Sequence, residues 1–342
     1  MSRKNIKDLT LEELKKAITA MGEPAYRARQ IFSWLYRRGI SDFNEMTNIP
    51  KTLSDKLQDN YFISNLAPAE HLKSADGTEK LLFKLPDGNF IETVLIYAGK
   101  RKTVCLSTQV GCKFACTFCA SGKLGFTRNL TPAEIINQIL FLRNNLKHEI
   151  TNYVLMGIGE PLDNYENVSR AIMIMNDPEG MAIGARRITI STCGVIPGMN
   201  KLRNLGLQVN LSVSLHATNN RLRDTFMPIN KRYPLEKLIK ASEDFINSTG
   251  RMITLEYILI KGKNDSLRDA DELAKIAKRL KAKVNLVPCS SVPGTDFQST
   301  PKKEIEKFID RLIQRKVNAT LRDSKGADIQ AACGQLAGRP KE

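Results

Sequence analysis

The run Asn210-Leu211-Ser212-Val213-Ser214-Leu215-His216 alternates polar and aliphatic residues. Strand side chains alternate faces with period two, so one face of this strand is polar. The same pattern recurs in Ile188-Thr189-Ile190-Ser191 and in Ile253-Thr254-Leu255-Glu256-Tyr257. Strands of a doubly wound sheet, covered on both faces, read instead as nearly continuous apolar runs. Outward from these segments, β-branched strands are expected at 103–108, 152–156, 187–191, 208–215, 252–259, 283–288 and 317–322. Helices are expected between them at 131–147, 165–176, 197–205, 235–247, 266–281 and 301–315. Such repetition specifies an α/β fold with a parallel sheet and outer helices. The polar faces favour a full or partial barrel with a ligand-holding interior.

Upstream the periodicity changes. From Ile6 to about Phe62, apolar residues recur at helical spacing, as in Leu11, Leu14, Ala17 and Ile18, then Ile31, Trp34 and Leu35. A small helical domain is expected there. Within it Arg27, Arg29, Arg37 and Arg38 surround an apolar stripe that holds the only tryptophan; a solvated basic face and an RNA-contacting face are both open readings. Residues 78–97 read as a hairpin turning at Pro86-Asp87-Gly88. The expected division is a helical domain over 1–70, a linking β-hairpin over 71–100 and the barrel over 101–342.

With 342 residues, 42% of them apolar, the chain is long enough for about two domains of ~100 to 200 residues each. Its formal charge of +16 favours a polyanionic partner, nucleic acid first. The N-terminal stretch is charged throughout, and no uncharged apolar run approaches the ~20 residues of a membrane span, so a cytoplasmic protein without a membrane partner is expected. The seven cysteines form no regular disulfide framework. Four of them fall between Cys105 and Cys119, which points to metal or redox chemistry.

The chemistry is carried by Cys112-Lys113-Phe114-Ala115-Cys116-Thr117-Phe118-Cys119, a Cys-x3-Cys-x2-Cys pattern just after the first barrel strand. Three thiolates from one loop suit a 4Fe-4S cluster that leaves one iron open to another ligand. Structural zinc is the rival, but zinc sites usually close four-coordinate from two paired spacings, and the chain has only three histidines.

This pattern, with an aromatic residue before the third cysteine, resembles the radical SAM enzymes. The stretches CLSTQVGCKFACTFCASG, MGIGEPLDN, RRITISTCGVIPG, NLSVSLHATNNRLRDTFMPINKRYPL, YILIKGKNDS, VNLVPCSSVPG and DIQAACGQLAG together resemble the RlmN/Cfr group of RNA adenosine methyltransferases, as does the helical N-terminal region. The resemblance implies a partial (β/α)6 radical SAM barrel holding a 4Fe-4S cluster on Cys112, Cys116 and Cys119, and two S-adenosylmethionine (SAM) molecules consumed per turnover. In that group one SAM methylates a cysteine matching Cys333. A second is cleaved reductively, and the resulting radical removes hydrogen from the S-methyl group. The carbon radical adds to the base, and a cysteine matching Cys105 resolves the covalent adduct through a transient disulfide. Proton abstraction falls to a position matching Glu92. That residue sits on the strand face of Phe90, Val94 and Ile96, where a desolvated carboxylate can act as a base. SAM contacts match Gly159, Glu160, Ser191, Ser214, Leu215 and His216, with Glu160 accepting from the SAM ammonium. Ser290 stands where the group usually has Asn. Cys193 and Cys289 read as small buried hydrophobes.

The Glu160-Pro161 pair resembles the branch that methylates carbon 2 of adenine rather than carbon 8. That branch implies an adenosine in the peptidyl-transferase region of 23S rRNA and the adenosine 3′ of the tRNA anticodon as substrates, an electron donor such as flavodoxin, and a monomer. A radical SAM enzyme with a non-RNA substrate and an iron–sulfur protein without SAM cleavage are the other classes.

Overall fold

The computed structural model describes residues 3–339. Seven parallel strands form the barrel sheet, and the expected alternation places them to within a few residues. Fourteen strands occur among the described residues. In chain order they are β1 (Lys4–Asn5), β2 (Tyr61–Phe62), β3 (Pro68–Lys73), β4 (Glu79–Lys84), β5 (Phe90–Ala98), β6 (Arg101–Cys105), β7 (Gln109–Gly111) and β8 (Phe126–Asn129), followed by β9 (Asn152–Leu155), β10 (Ile188–Thr192), β11 (Asn210–Ser214), β12 (Thr254–Leu259), β13 (Lys283–Pro288) and β14 (Ala319–Leu321). Ten of these make one open sheet in the order β14-β13-β12-β11-β10-β9-β6-β5-β4-β3. From β6 to β14 neighbouring strands are parallel; β3, β4 and β5 are antiparallel. The sheet does not close, so the partial barrel is the form realised. Its last strand, the short β14, stands where 317–322 predicts and is one more than the six of the (β/α)6 form that the resemblance implies. The hairpin turns where Pro86-Asp87-Gly88 predicts, with Leu85 and Asn89 joined by an amide-to-carbonyl bond. The strand before it, β3, and the β7–β8 ribbon were not foreseen.

The helices between the strands pack outside the sheet. The α-helices used below are α1 (Leu11–Ala20), α2 (Tyr26–Ser33), α3 (Lys51–Asn60), α4 (Ala120–Lys123) and α5 (Pro132–Leu140). Helix α5 starts where its sequence dictates. Thr131 caps it in a reciprocal box with Glu134, and Pro132 occupies a position whose N–H has no helical partner. The chain expected to stay helical to residue 147 loosens instead into a π-turn over Phe141–Asn145. Of the later helices, Asn220–Phe226 had no counterpart in the expected series; a seven-residue segment carries too short a period to be read.

The N-terminal helices α1 to α3 share the barrel's hydrophobic core through Ile6, Leu14, Ile31, Phe32, Leu53 and Leu57, all fully buried. One polar group fastens the two regions. Lys7 is fully buried, and its Nζ donates to the Ser64 carbonyl at 2.9 Å, Asn65 Oδ1 at 3.0 Å and Asn137 Oδ1 of α5 at 3.0 Å. Burial pushes its pKa down to about 7, while three oxygens match the three protons of the charged form. In Lys7→Met the Oδ1 atoms of Asn65 and Asn137 lose this donor while the Ser64 carbonyl keeps Asn137 Nδ2, and we expect a loss of about 3 kcal/mol in denaturant unfolding, the order of magnitude for stranded buried acceptors.

Candidate active site

The period-two reading locates the lumen. Thr189, Asn210, Ser212, Thr254 and Glu256 border a cavity of about 610 Å³ on the side of the strand N-termini. Ser191 and Ser214, two residues further along their strands, and His216, just past the end of β11, border a second cavity of about 170 Å³ at the C-terminal ends. This second cavity also receives Cys112, Cys116, Cys119, Gly159, Glu160 and Cys333. Most of the residues named from the sequence therefore converge on one hollow, where parallel barrels present their functional loops.

The cysteine loop is shaped by its backbone. Gly111 takes φ 72° with its Cα against the Gly125 carbonyl, so close that a Cβ would lie 1.9 Å from that oxygen. Only glycine allows the chain to leave β7 there. Cys119 N–H donates to the Cys116 carbonyl, and Thr117 N–H to the Phe226 carbonyl, folding the loop over the lumen. Desolvation pushes all three thiols up, Cys112 to about 12, and the neighbouring acidic groups add to the effect. Backbone amides of Phe114, at Cys112, and of Gly122 and Ser121, at Cys119, point at the sulfurs. Three desolvated sulfurs without a disulfide, two of them with amide donors, are poor thiolates alone and good ones around a cationic group. The donor set fits a thiolate-ligated iron cluster. Among the described residues, no three His, Cys, Asp or Glu side chains stand close enough to share one metal ion; a cubane offers each thiolate its own iron and asks for no common centre.

Opposite the loop, Glu160 is buried, with Oε1 accepting from Leu162 N–H at 3.0 Å and Oε2 from Cys193 N–H at 2.7 Å. Each oxygen keeps a lone pair for a further donor. Gly159, at φ 102°, brings this turn so close that a Cβ would meet Gln109 Cβ at 2.5 Å. His216 is also buried, in the left-handed region at φ 58°. Burial, then the Arg223 charge, lower its pKa to about 3. Its Nδ1 accepts from Ile258 N–H at 3.1 Å, so the neutral ring carries its proton on Nε2. Fully buried Arg223 ties the loop ends together, donating to the carbonyls of Leu215 (3.1 Å), Ser214 (3.1 Å) and Cys193 (2.8 Å) and to Asn230 Oδ1 (3.0 Å).

Cys105, at the end of β6, and exposed Cys333 border a third cavity of about 80 Å³ together with Cys119. Desolvation, then the Cys333 charge, push the Cys105 thiol up to about 12. Residues 326–338 form a strap across the lumen. Its Ile329, Ala331 and Leu336 pack on Val94, Cys105 and Val154 in a small separate core. Polar ties hold it at both ends. Asp76 Oδ2 accepts from Gly326 N–H at 2.9 Å, Asp328 accepts from Ser74 Oγ at 2.6 Å, Ala120 N–H donates to the Gly334 carbonyl at 2.7 Å, and Ser121 Oγ to the Leu336 carbonyl at 2.7 Å.

Three of the residues named from the sequence stand outside the two cavities that hold the thiols. Glu92 is buried as expected, but among polar partners: Lys80 Nζ lies 2.8 Å from Oε1, and Oε2 accepts from the amides of Ala337 and Gly338 at 2.7 and 2.8 Å. In this conformation it clasps the strap and borders neither reaction cavity. Leu215 turns its side chain into the core, as the alternation with Ser214 and His216 requires, and offers only its carbonyl, to Arg223. Ser290 lies beyond Pro288, where β13 has ended, and faces a different cavity with Ser291, Ser299 and Gln335. One residue escaped the sequence reading. Arg322 borders all three lumen cavities, with its guanidinium held charged by Cys333 first, then Glu256 and Cys105, against desolvation. Thr320 and Arg322 continue the polar alternation, a signal present in the last strand.

Residues 106–274 match the Radical SAM superfamily, and residues 4–63 match the ribosomal RNA large subunit methyltransferase N-terminal domain. The chain is 46% identical over 335 residues to the dual-specificity RNA methyltransferase RlmN of Pelobacter propionicus, covering 98% of this chain and 96% of that one. It is 44% identical over 339 residues to its namesake from Geotalea uraniireducens, covering 99% and 98%. A crystal structure of a radical SAM methyltransferase from Sphaerobacter thermophilus superposes with a TM-score of 0.92 at 44% identity, over 98% of this chain and 100% of that one.

The strap gives a pH-dependent expectation. Against desolvation, which acts upward, hydrogen bonds from Thr78 and the Gly326 amide hold the Asp76 carboxyl down at about 2, from 3.8. A depressed carboxyl stabilises fully above its unfolded value and loses that contribution as pH falls toward the folded one. Exchange of the Gly326 amide, corrected for intrinsic rate, should therefore accelerate as pH drops from about 4 toward 2. In Asp76→Asn it should be fast throughout.

Proposed function

The chain belongs to the RlmN family of radical SAM RNA methyltransferases, and from that premise we propose that it methylates carbon 2 of a specific adenosine in 23S rRNA and of the adenosine 3′ of the tRNA anticodon. The observation that carries this reading is that Cys105 and Cys333, far apart in sequence, border one small cavity with Cys119 of the cysteine loop. A sulfur that carries a methyl group, one that resolves the adduct and one that ligates iron need this proximity.

When bound, the cluster and SAM supply one-electron cleavage and the transferred methyl group; two SAM are used per turnover. Cys112, Cys116 and Cys119 hold three irons. Gly159 and Glu160 receive the amino acid end of SAM, with Glu160 accepting from its ammonium. Ser191, Ser214 and neutral His216 offer hydroxyl and imidazole groups to the remainder. Cys333 would carry the methyl carbon on its sulfur; after giving up one hydrogen atom to the SAM-derived radical, that carbon would bond to C2 of adenine, and the adduct would return one electron to the oxidised cluster. Glu92 takes the C2 proton, for which it must release the amides of Ala337 and Gly338. Cys105, as a thiolate, would then attack the Cys333 sulfur; the sulfur–carbon bond breaks with its electron pair on the carbon, which takes up a proton to become the methyl group of the departing RNA, and a Cys105–Cys333 disulfide remains. The helical region 1–70 acts as an RNA-binding domain, 71–100 as its link and 101–342 as the catalytic barrel. An external one-electron donor such as flavodoxin serves a monomeric, cytoplasmic enzyme.

Anaerobic incubation of the reconstituted protein with SAM, reductant and unmodified 23S rRNA fragments or tRNA, followed by nucleoside mass spectrometry, tests the reading. We expect 2-methyladenosine from the wild type. Cys333→Ala should yield none while still binding the cluster, and Cys105→Ala should accumulate a covalent protein–RNA adduct. Product at C8 would move the chain to the other branch, and SAM cleavage with no methylated adenosine would exclude RNA as the substrate.

A further inference from the structure

The lumen has two ends, and the reaction described above uses only one. The cavity of about 610 Å³ opens on the N-terminal side of the strands, within the ~300–1,000 Å³ range of ligand sites. Its rim carries Arg101, Arg251, Lys283 and Lys325. Among the described residues none of these four has a carboxylate within ion-pair distance, although Lys and Arg elsewhere on the surface are repeatedly paired with Asp or Glu. Arg251 is held by Asn210, and its Nε is buried with no hydrogen-bond partner. Between the cations stand two apolar side chains that the fold leaves open, Met252 at 53% and Leu321 at 38% exposure. Unpaired cations interleaved with exposed apolar faces around a concavity match phosphates interleaved with bases.

The hollow leads to the thiol. Met156, Glu256 and Arg322 border both this cavity and the one at the cysteine loop, so the two adjoin across these three residues. From Asn210 at the mouth to Ser214 at the far cavity is four strand residues, about 13 Å of rise. We propose that this N-terminal mouth is where the RNA docks: phosphates flanking the target adenosine sit on Arg101, Arg251, Lys283 and Lys325, Met252 and Leu321 contact neighbouring bases, and the adenosine reaches up the lumen toward Cys333. The proposal rests on the RNA methyltransferase reading and adds the face and direction of approach.

Filter binding of a 23S rRNA hairpin and of tRNA, across a salt series, tests it. Arg101→Ala/Lys283→Ala changes two exposed side chains and should leave thermal unfolding unchanged. It should weaken RNA binding about tenfold or more and flatten the log Kd against log salt slope by roughly 1 per lost phosphate contact. Arg101→Lys/Lys283→Arg should restore both affinity and slope. Lys237→Ala/Lys303→Ala, on outer helices, should leave them as in the wild type. Wild-type affinity and slope in Arg101→Ala/Lys283→Ala, with a wild type that still methylates RNA, would overturn the docking face alone. Equal weakening in the outer-helix variant would overturn it too, by making the effect one of net charge. A wild type that neither binds nor methylates RNA would remove the underlying reading as well.

Discussion

Where the parallel strands stop, their backbone groups run out of ladder neighbours inside a dry interior, and every one of them must find a partner. Here buried side chains take over. Arg223 accepts responsibility for the carbonyls after β10 and β11, Asn264 Nδ2 donates to those of His216 and Ile258, and Gln138 spans both the N–H and the carbonyl of Ser107. Asn164 Nδ2 reaches the carbonyls of Thr108 and Leu130. Glu160 serves the amides of Leu162 and Cys193. These are the same loops that carry the functional groups. The requirement to satisfy strand ends thus supplies the rigidity that a reaction among sulfurs, SAM and a base demands.

That constraint also accounts for what could be read from the sequence. Strand alternation needs only local periodicity, so Thr189 and Ser191, Ser212 and Ser214, and Thr254 and Glu256 declared their inward face. The cysteine triad is local too, since three ligands lie within eight residues. Arg223 was not legible, because nothing in Asn219-Asn220-Arg221-Leu222-Arg223 distinguishes the buried arginine from the solvated one two residues earlier; the carbonyls that draw it inward belong to distant strands. Glu92 shows the same limit in another form. Its burial followed from Phe90, Val94 and Ile96 on its strand face, whereas Lys80 and the amides of Ala337 and Gly338 come from other parts of the chain.

The lumen is layered by charge. At the far end lie thiols and a buried carboxylate. In the middle Glu256, accepting from Ser212 and Asn285 at 3.1 Å, faces Arg322. At the near end the cations stand unpaired. A polyanion is drawn toward one end, while the sulfur chemistry at the other is shielded from the water that would compete for its intermediates.

The strap bearing Cys333 is tied by Asp76 and Lys80 to the antiparallel strands, and by Ala120 and Ser121 to the segment that directly follows Cys119. Two anchors on one short segment make the reactive thiol and the metal-binding loop parts of a single equilibrium. Linkage is reciprocal, so any free energy that orders the cysteine loop is returned in full as order of the strap. Whatever orders the loop around Cys119 therefore also orders the segment that bears Cys333.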